Sequence, residues 1–344
     1  MNNIYDLTME QLEAILVENG FQKFRAKQIW QWLYIHLVKN YSEMKNIDKK
    51  TLDFLGENYF IPDFEIVKTQ HDENDDTTKI LMNLNGEVIE AVLMKYRHGY
   101  TVCVTTQIGC KIGCSFCASH LGGFKRNLSS GEIVAQVMVF EKLLRDKGER
   151  VANIVVMGIG EPLDNLKNVF NFINIINNEF GLQIGARHIT VSTSGIVPKI
   201  YDIAEFPKQI NLAISLHASN NTVRSKIMKI NDVYSIEELM DAVNFYIKKT
   251  NRRVSFEYLL LSGVNDQNDH AYELAKLVRG MNCHVNLIPW NSVDEFDYIK
   301  SSKDAVYNFE KILADKKIQV SVRQPKGKNI DGACGQLRYK HKND

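Results

Sequence analysis

Proline is scarce in this chain, six residues in 344, too few for a long rigid linker between separate domains. Net charge is nearly absent too. With 42 basic and 41 acidic residues the balance is +1, so any attraction to nucleic acid must come from local patches. No apolar run approaches the roughly 18 residues of a membrane span. The start, MNNIYDLTMEQLEAILVENG, lacks the basic stretch and apolar core of a secretory signal. The chain is therefore read as cytoplasmic, with no membrane partner. Only six cysteines are present, and where thiols stay reduced a close group of them points to metal binding or chemistry rather than to a structural disulfide. There is no internal repeat or low-complexity tract, and 44% hydrophobic with 24% charged residues excludes disordered and fibrous classes.

What is present divides into regimes. Residues 1–62 carry apolar positions at helical spacing, as in FRAKQIWQWLY, and predict a small helical module. Lys23, Arg25 and Lys27 lead into Trp30 and Trp32, which makes it a plausible RNA-docking element, although the tryptophans suit its core. Residues 63–99 predict a short β extension with a hairpin turn at Asn85-Gly86. From residue 100 to 322, short β-branched runs alternate with amphipathic segments, which implies a parallel sheet with crossover helices. Six βα units are two short of a closed eight-stranded barrel, so the expected fold is α/β, an open or partial barrel. Residues 323–344 read as a mobile tail carrying Cys334.

Ligands gather at the carboxyl ends of such strands. There the sequence places QIGCKIGCSFCASH, with Cys110, Cys114 and Cys117, then GIGEP with Gly160 and Glu161. Ser192, the run Ser215-Leu216-His217, and Asn291 come at later strand ends. Three thiolates favour an iron-sulfur cluster or zinc over hard cations. His120 would complete a Cys3His zinc site. A four-iron cluster would instead keep one iron open for an exchangeable ligand. Glu161 complements an ammonium rather than a phosphate. Cys283 reads as a buried small hydrophobe. Cys334, between Gly332 and Gly335, sits in a small-residue setting that suits a thiol moving between partners.

The CxxxCxxC loop after the first strand, in register with MGIGEPLDN, resembles the radical S-adenosylmethionine (SAM) enzymes. Beyond it, FKRNLSSGEI, HITVSTSGIVP, AISLHA, RRVSFEYLLL, GVNDQNDHA, NLIPWN and DGACGQLR extend the likeness nearly end to end to the RlmN family of dual-specificity RNA adenine-C2 methyltransferases. The resemblance implies a radical-SAM partial (β/α)6 barrel and a [4Fe-4S] cluster on Cys110, Cys114 and Cys117. It implies SAM contacts at Gly160, Glu161, Ser192, Ser215, Leu216, His217 and Asn291. Implied substrates are adenosine 2503 of 23S rRNA and adenosine 37 of tRNAs, and two SAM are used per turnover. An electron donor such as flavodoxin or ferredoxin and a monomeric enzyme are expected. The chain departs from the family pattern at His120, where Thr is usual, and at Gly332, where Ala is common.

The same resemblance assigns three catalytic residues. Cys334 is methylated by one SAM. A 5′-deoxyadenosyl radical from a second takes hydrogen from that methyl, and the methylene radical adds to C2 of the base. Glu90, which by itself reads as a solvated strand carboxylate, matches the base that removes the C2 proton. Cys103 matches the thiol that resolves the adduct through a transient disulfide with Cys334. Two alternatives stay open. One is the related Cfr-type C8 methyltransferase of the same rRNA adenosine, against which GEPLDN and GGFKRNL speak. The other is a non-catalytic, zinc-stabilised RNA-binding protein. Basic residues Lys125, Arg126, Arg323, Lys326, Lys328, Arg338, Lys340 and Lys342 are expected along the RNA phosphates.

Overall fold

Short helices with clear start signals open the molecule. After β1 (Asn2–Asn3) come α1 (Met9–Glu18), α2 (Phe24–Tyr34) and α3 (Lys49–Asn58), then β2 (Tyr59–Phe60), which pairs parallel with β1. Thr8 and Gln11 form a capping box on α1, which satisfies two otherwise orphaned amides. The computed structural model describes residues 1–84, 86–291, 295–324, 326–327, 329–332 and 335–343, the side chains of residues 342 and 343 excepted. The Asn85 half of the expected turn lies outside the described residues.

Three antiparallel strands come next, β3 (Glu65–Asp72), β4 (Thr77–Leu84) and β5 (Glu87–Tyr96), and β5 pairs antiparallel with β6 (Gly99–Cys103). A small ribbon of β7 (Gln107–Ile108) and β8 (Arg126–Asn127) brackets the cysteine loop. Strands and helices then alternate: α4 (Ser130–Arg145), β9 (Val151–Val156), α5 (Leu166–Ile176), β10 (Ile189–Thr193), α6 (Val197–Ala204), β11 (Asn211–Ser215), α7 (Asn221–Ile227), α8 (Ile236–Thr250), β12 (Val254–Leu260), α9 (Asn268–Leu277), β13 (Cys283–Pro289), α10 (Lys303–Asp315) and β14 (Val320–Val322). A last helix, α11 (Gln336–Asn343), lies in the tail.

The main sheet has ten strands in the order β14-β13-β12-β11-β10-β9-β6-β5-β4-β3. From β14 to β6 every pairing is parallel. The order does not return on itself, so β14 and β3 remain separate edges and the barrel is partial, as the count of βα units implies. The antiparallel extension is continuous with it. Lys79, Val92, Cys103 and Val155 therefore fall in one register row across β4, β5, β6 and β9.

The helical module is packed onto the barrel rather than tethered to it. Asp6 accepts a hydrogen bond from the Gly131 amide at the start of α4, 2.6 Å. Trp30 is buried against Gly181, where a β-carbon would stand 2.7 Å from the indole nitrogen. Trp32 is half-buried and donates to Asn46, 2.6 Å. Cys283 is buried, as its apolar flanks imply. Among the described residues no helix is long and apolar enough to cross a membrane.

The tail corrects an expectation. Its described part is strapped to the β extension rather than loose. Gly327 donates to Asp75 (2.9 Å), Asn329 to Asp72 (3.1 Å) and Asp331 to Gln70 (3.1 Å), and Leu337 and Arg338 are buried. The 3.6-residue periodicity that would announce α11 is too short to read, since only Leu337 gives it an apolar face. Gly181→Ala tests how the module seats: overpacking against Trp30 should cost about 1–3 kcal/mol. Urea unfolding followed by circular dichroism measures it, and an unchanged midpoint would refute the contact.

Candidate active site

Strand β6 ends at Cys103, and Thr105 anchors the chain as it leaves the sheet. Its hydroxyl donates to the Glu90 carbonyl (2.7 Å), while its amide and carbonyl are both bonded to the buried Gln136 amide (2.8 and 2.9 Å). The chain then turns through Gly109, φ +81°, where a β-carbon would sit 1.7 Å from the Gly123 carbonyl oxygen; no other residue fits. This close return of the ribbon projects Cys110, Cys114 and Cys117 into one cavity of about 360 Å³. Each thiol is half-buried. Burial pushes Cys110 up to about 12 and raises Cys114 and Cys117 as well, with Ser119 pulling Cys117 partly back. A thiolate here therefore calls for a cationic partner.

At the end of β9, Gly160 takes φ +111°, and a β-carbon would meet Gln107 at 2.7 Å. That turn delivers Glu161, buried, with one carboxylate oxygen accepting from the Leu163 amide (3.0 Å) and the other from the Ser194 amide (2.7 Å). Burial raises its carboxyl above the usual range despite these bonds. A buried anion lining a cavity is a site for a ligand cation. Ser192 and Ser215 face each other across β10 and β11 with hydroxyls 3.5 Å apart. His217 adopts a left-handed φ of +56°. Its Nδ1 accepts from the Leu259 amide, 3.0 Å, so Nε2 carries the proton. Burial first and Arg224 second push it down to about 3, which keeps the ring neutral.

The cavity brings together Cys103, Cys110, Cys114, Cys117, Gly160, Glu161, Ser192, Ser215, His217 and Asn291. Leu216 is not among them: its side chain is in the core, its amide bonds Glu257 and its carbonyl takes Arg224 (3.1 Å). Glu90 stands one residue back from the cavity, and it is buried rather than solvated. It pairs with buried Lys79 at 3.2 Å and accepts from the Gly335 and Arg338 amides at 2.5 and 3.1 Å. Cys334 lies outside the described residues, as does Lys328. Its neighbours Gly332, which lines the cavity, and Gly335, packed on Ser119, are placed.

Three cationic or acidic groups escaped the sequence reading. Arg224 is fully buried and donates to the carbonyls of Ser194 (2.6 Å), Ser215 (3.3 Å) and Leu216. Burial lowers it to about 10, so it stays cationic at neutral pH. Nothing in NNTVRSKIMK distinguishes it from a solvated arginine. Glu257 lines the cavity beside Ser215 and accepts from Asn286, 2.8 Å. Lys79 gave no clear signal: along β4 it alternates with Thr77, Leu81 and Asn83, on the face opposite the apolar row of Ile80, Met82 and Leu84.

The basic residues expected along RNA phosphates are largely compensated. Arg126 is bound by Glu87 and Glu132, Lys125 by Glu87 and Lys340 by Asp331. Arg338 is buried with its Nε on the Val88 carbonyl. Arg323 and Lys326 do line the cavity. His120 is turned to the Cys117 carbonyl, to which its Nδ1–H donates at 2.6 Å, and its ring stacks on Phe296.

Comparison with known proteins agrees with this arrangement. Residues 104–275 match the model of the radical SAM superfamily, and residues 2–61 match the ribosomal RNA large subunit methyltransferase N-terminal domain. The chain is 53% identical over 341 residues to the "Probable dual-specificity RNA methyltransferase RlmN" of Staphylococcus carnosus, covering 99% of this chain and 93% of that one. A protein of the same name from Bacillus velezensis is 51% identical over 343 residues, covering 99% and 94%. The chain belongs to the RlmN family. A crystal structure of a radical SAM methyltransferase from Sphaerobacter thermophilus superposes with a TM-score of 0.93 at 42% identity, covering 98% of this chain and 99% of that one.

RlmN-family membership makes the protein a radical SAM RNA methyltransferase, and that membership implies a [4Fe-4S] cluster and SAM. The residues present fit both groups. Three soft donors open on one cavity, and a buried carboxylate stands at the next strand end. Among the described residues no three His, Cys, Asp or Glu side chains are close enough to share one metal ion. The non-catalytic reading gives way to the family.

Arg224→Leu would leave three strand-end carbonyls without their donor, which should destabilise the protein by about 3 kcal/mol or more. Arg224→Lys should recover part of that. Urea midpoints of the two variants decide it, and equal loss in both would show that the guanidinium geometry is all that counts.

Proposed function

We propose that this enzyme methylates C2 of adenosine 2503 in 23S rRNA and C2 of adenosine 37 in tRNAs. One observation carries the reading: the loop cysteines, Cys103, Glu161, Ser192, Ser215, His217 and Asn291 line a single cavity. Cys110, Cys114 and Cys117 would hold the cluster, and SAM would bind beside it in the same cavity. Glu161 receives the SAM ammonium, with Gly160 allowing close approach, and Ser192, Ser215, His217 and Asn291 bind the remainder; Leu216 contributes by holding the strand end. Once bound, the cluster and SAM supply a 5′-deoxyadenosyl radical.

The chain's own groups do the rest. Cys334 accepts the methyl of a first SAM, so two SAM are used per turnover. Loss of one hydrogen from that methyl leaves a methylene radical on the Cys334 sulfur, which bonds to C2 of an unstacked adenine. The adduct radical gives up one electron to a one-electron acceptor, a role the oxidised [4Fe-4S] cluster would fill, and Glu90 removes the C2 proton. The Cys103 thiolate then attacks the Cys334 sulfur, an S–S bond forms, and the C–S electron pair passes to the departing carbon, which is protonated to the methyl group. A flavodoxin- or ferredoxin-type donor supplies the electron for reductive cleavage of SAM, and a dithiol reductant, itself oxidised to a disulfide, returns Cys103 and Cys334 to thiols. Residues 1–62 serve as the RNA-docking module, residues 63–99 and 100–322 as β extension and barrel, and residues 323–344 as the carrier tail. The enzyme acts as a monomer in the cytoplasm.

Mass spectrometry of nucleosides from reacted rRNA should give C2-methyladenosine. The C8 isomer would instead mean Cfr-type chemistry. Cys103→Ala should trap an RNA–protein crosslink that Cys334→Ala cannot form, visible as a shifted band on a denaturing gel. Free methylated product from Cys334→Ala at the wild-type rate would sink the covalent scheme.

A further inference from the structure

Among the described residues three donors occupy Glu90, and they come from two sources. Two are tail amides, Gly335 and Arg338, on the far side of Cys334 in sequence. The third is the Lys79 ammonium, which also donates to the Asp331 carbonyl at 2.6 Å, on the near side. The pair is almost wholly enclosed, with side chains 1% and 4% exposed. It thus grips the tail on both flanks of Cys334.

The grip is aimed. Lys79 shares its register row with Val92 and Cys103, and all three line the cavity. Gly335, at φ +81°, lies so close to the segment after Cys117 that a β-carbon would come within 2.8 Å of the Ser119 amide nitrogen. Asp331 is held in addition by Gln70 and Lys340. Two distant parts of the chain, one flanking the expected carrier and the other carrying the expected resolving thiol, are joined through a single buried ammonium.

We propose that Lys79 is a positioning residue that docks the tail so that Cys334 is presented for its own methylation, and that the Lys79–Glu90 pair is the cleat. It rests on the assignment of Cys334 as methyl carrier. Lys79 and the Gly335 amide share Oε1 of Glu90, and the Arg338 amide bonds Oε2, so both carboxylate oxygens are fastened to the tail. A buried ion pair with one partner deleted is costly because the other charge is stranded, and Arg keeps the charge while changing its reach.

The test uses full-length enzyme purified without its cluster, reconstituted anaerobically and given SAM. Three quantities are read: iron content with visible absorption, 5′-deoxyadenosine formed with dithionite in the absence of RNA, and S-methylation of Cys334 by peptide mass spectrometry. Lys79→Met should slow Cys334 methylation by about tenfold or more while the first two stay within about twofold of wild type. Lys79→Arg should restore part of the methylation rate. The proposal is overturned if Lys79→Met methylates Cys334 at the wild-type rate, including the case in which it then accumulates crosslinked RNA, which would confine Lys79 to proton removal. It is equally overturned if all three quantities fall together, the mark of a folding role. Wild-type enzyme that never methylates Cys334 would refute the carrier assignment itself, a distinguishable result.

Discussion

The Ser194 peptide unit is held between two buried charges, its N–H on Glu161 at 2.7 Å and its carbonyl on Arg224 at 2.6 Å. Parallel sheets end in backbone groups that the ladder no longer pairs, and a cavity built on those ends has to satisfy them without filling itself. Arg224 does this from behind the wall and Glu161 from within it. The carboxylate takes amides and the guanidinium takes carbonyls, so β10 and β11 finish in fixed positions with Ser192, Ser215 and His217 facing inward. Loss of Arg224 would leave the Ser194, Ser215 and Leu216 carbonyls without this donor, and loss of Glu161 would leave the Leu163 and Ser194 amides without this acceptor.

The cluster loop depends on that wall in turn. The Ser115 amide bonds the carbonyl of Ile227, at the end of the helix that carries Arg224. Phe116 packs edge-on against His217. The cysteine loop and the strand-end wall are therefore one packed unit, which is why thiols so far from their ordinary ionisation can coexist with a carboxylate in the same cavity: the protein supplies the shape, and the bound group supplies the compensating charge.

Much of this was legible in the residues. The barrel was readable because parallel strands buried on both faces write themselves as β-branched runs, and RHITVST or INLAISLH cannot easily be anything else. The loop cysteines and Glu161 were readable because their chemistry is rare at such spacing. Arg224 was not, because a long cation on a short helix looks the same whether its head meets water or three carbonyls. Arg338 misled for the same reason: its place in a basic tail suggested phosphate contact, and it is buried on Val88. Glu90 was misplaced to solvent because its partner Lys79 lies on the neighbouring strand, and alternation along one strand carries no information about the next. The tail's fastening rests largely on polar contacts to Gln70, Asp72, Asp75, Lys79 and Glu90, with no periodicity to announce them.

The bond between Lys79 and the Asp331 carbonyl spans 252 residues. A ribosome delivers β4 long before the strap that will lie on it, and every crossover of the parallel sheet is made in between. Until the strap is made, the ammonium has Glu90 beside it but not the Asp331 carbonyl. The strap is thus delivered after the surface it fastens to, and the part of the cavity wall that Lys326, Ile330 and Gly332 form is completed only when it docks.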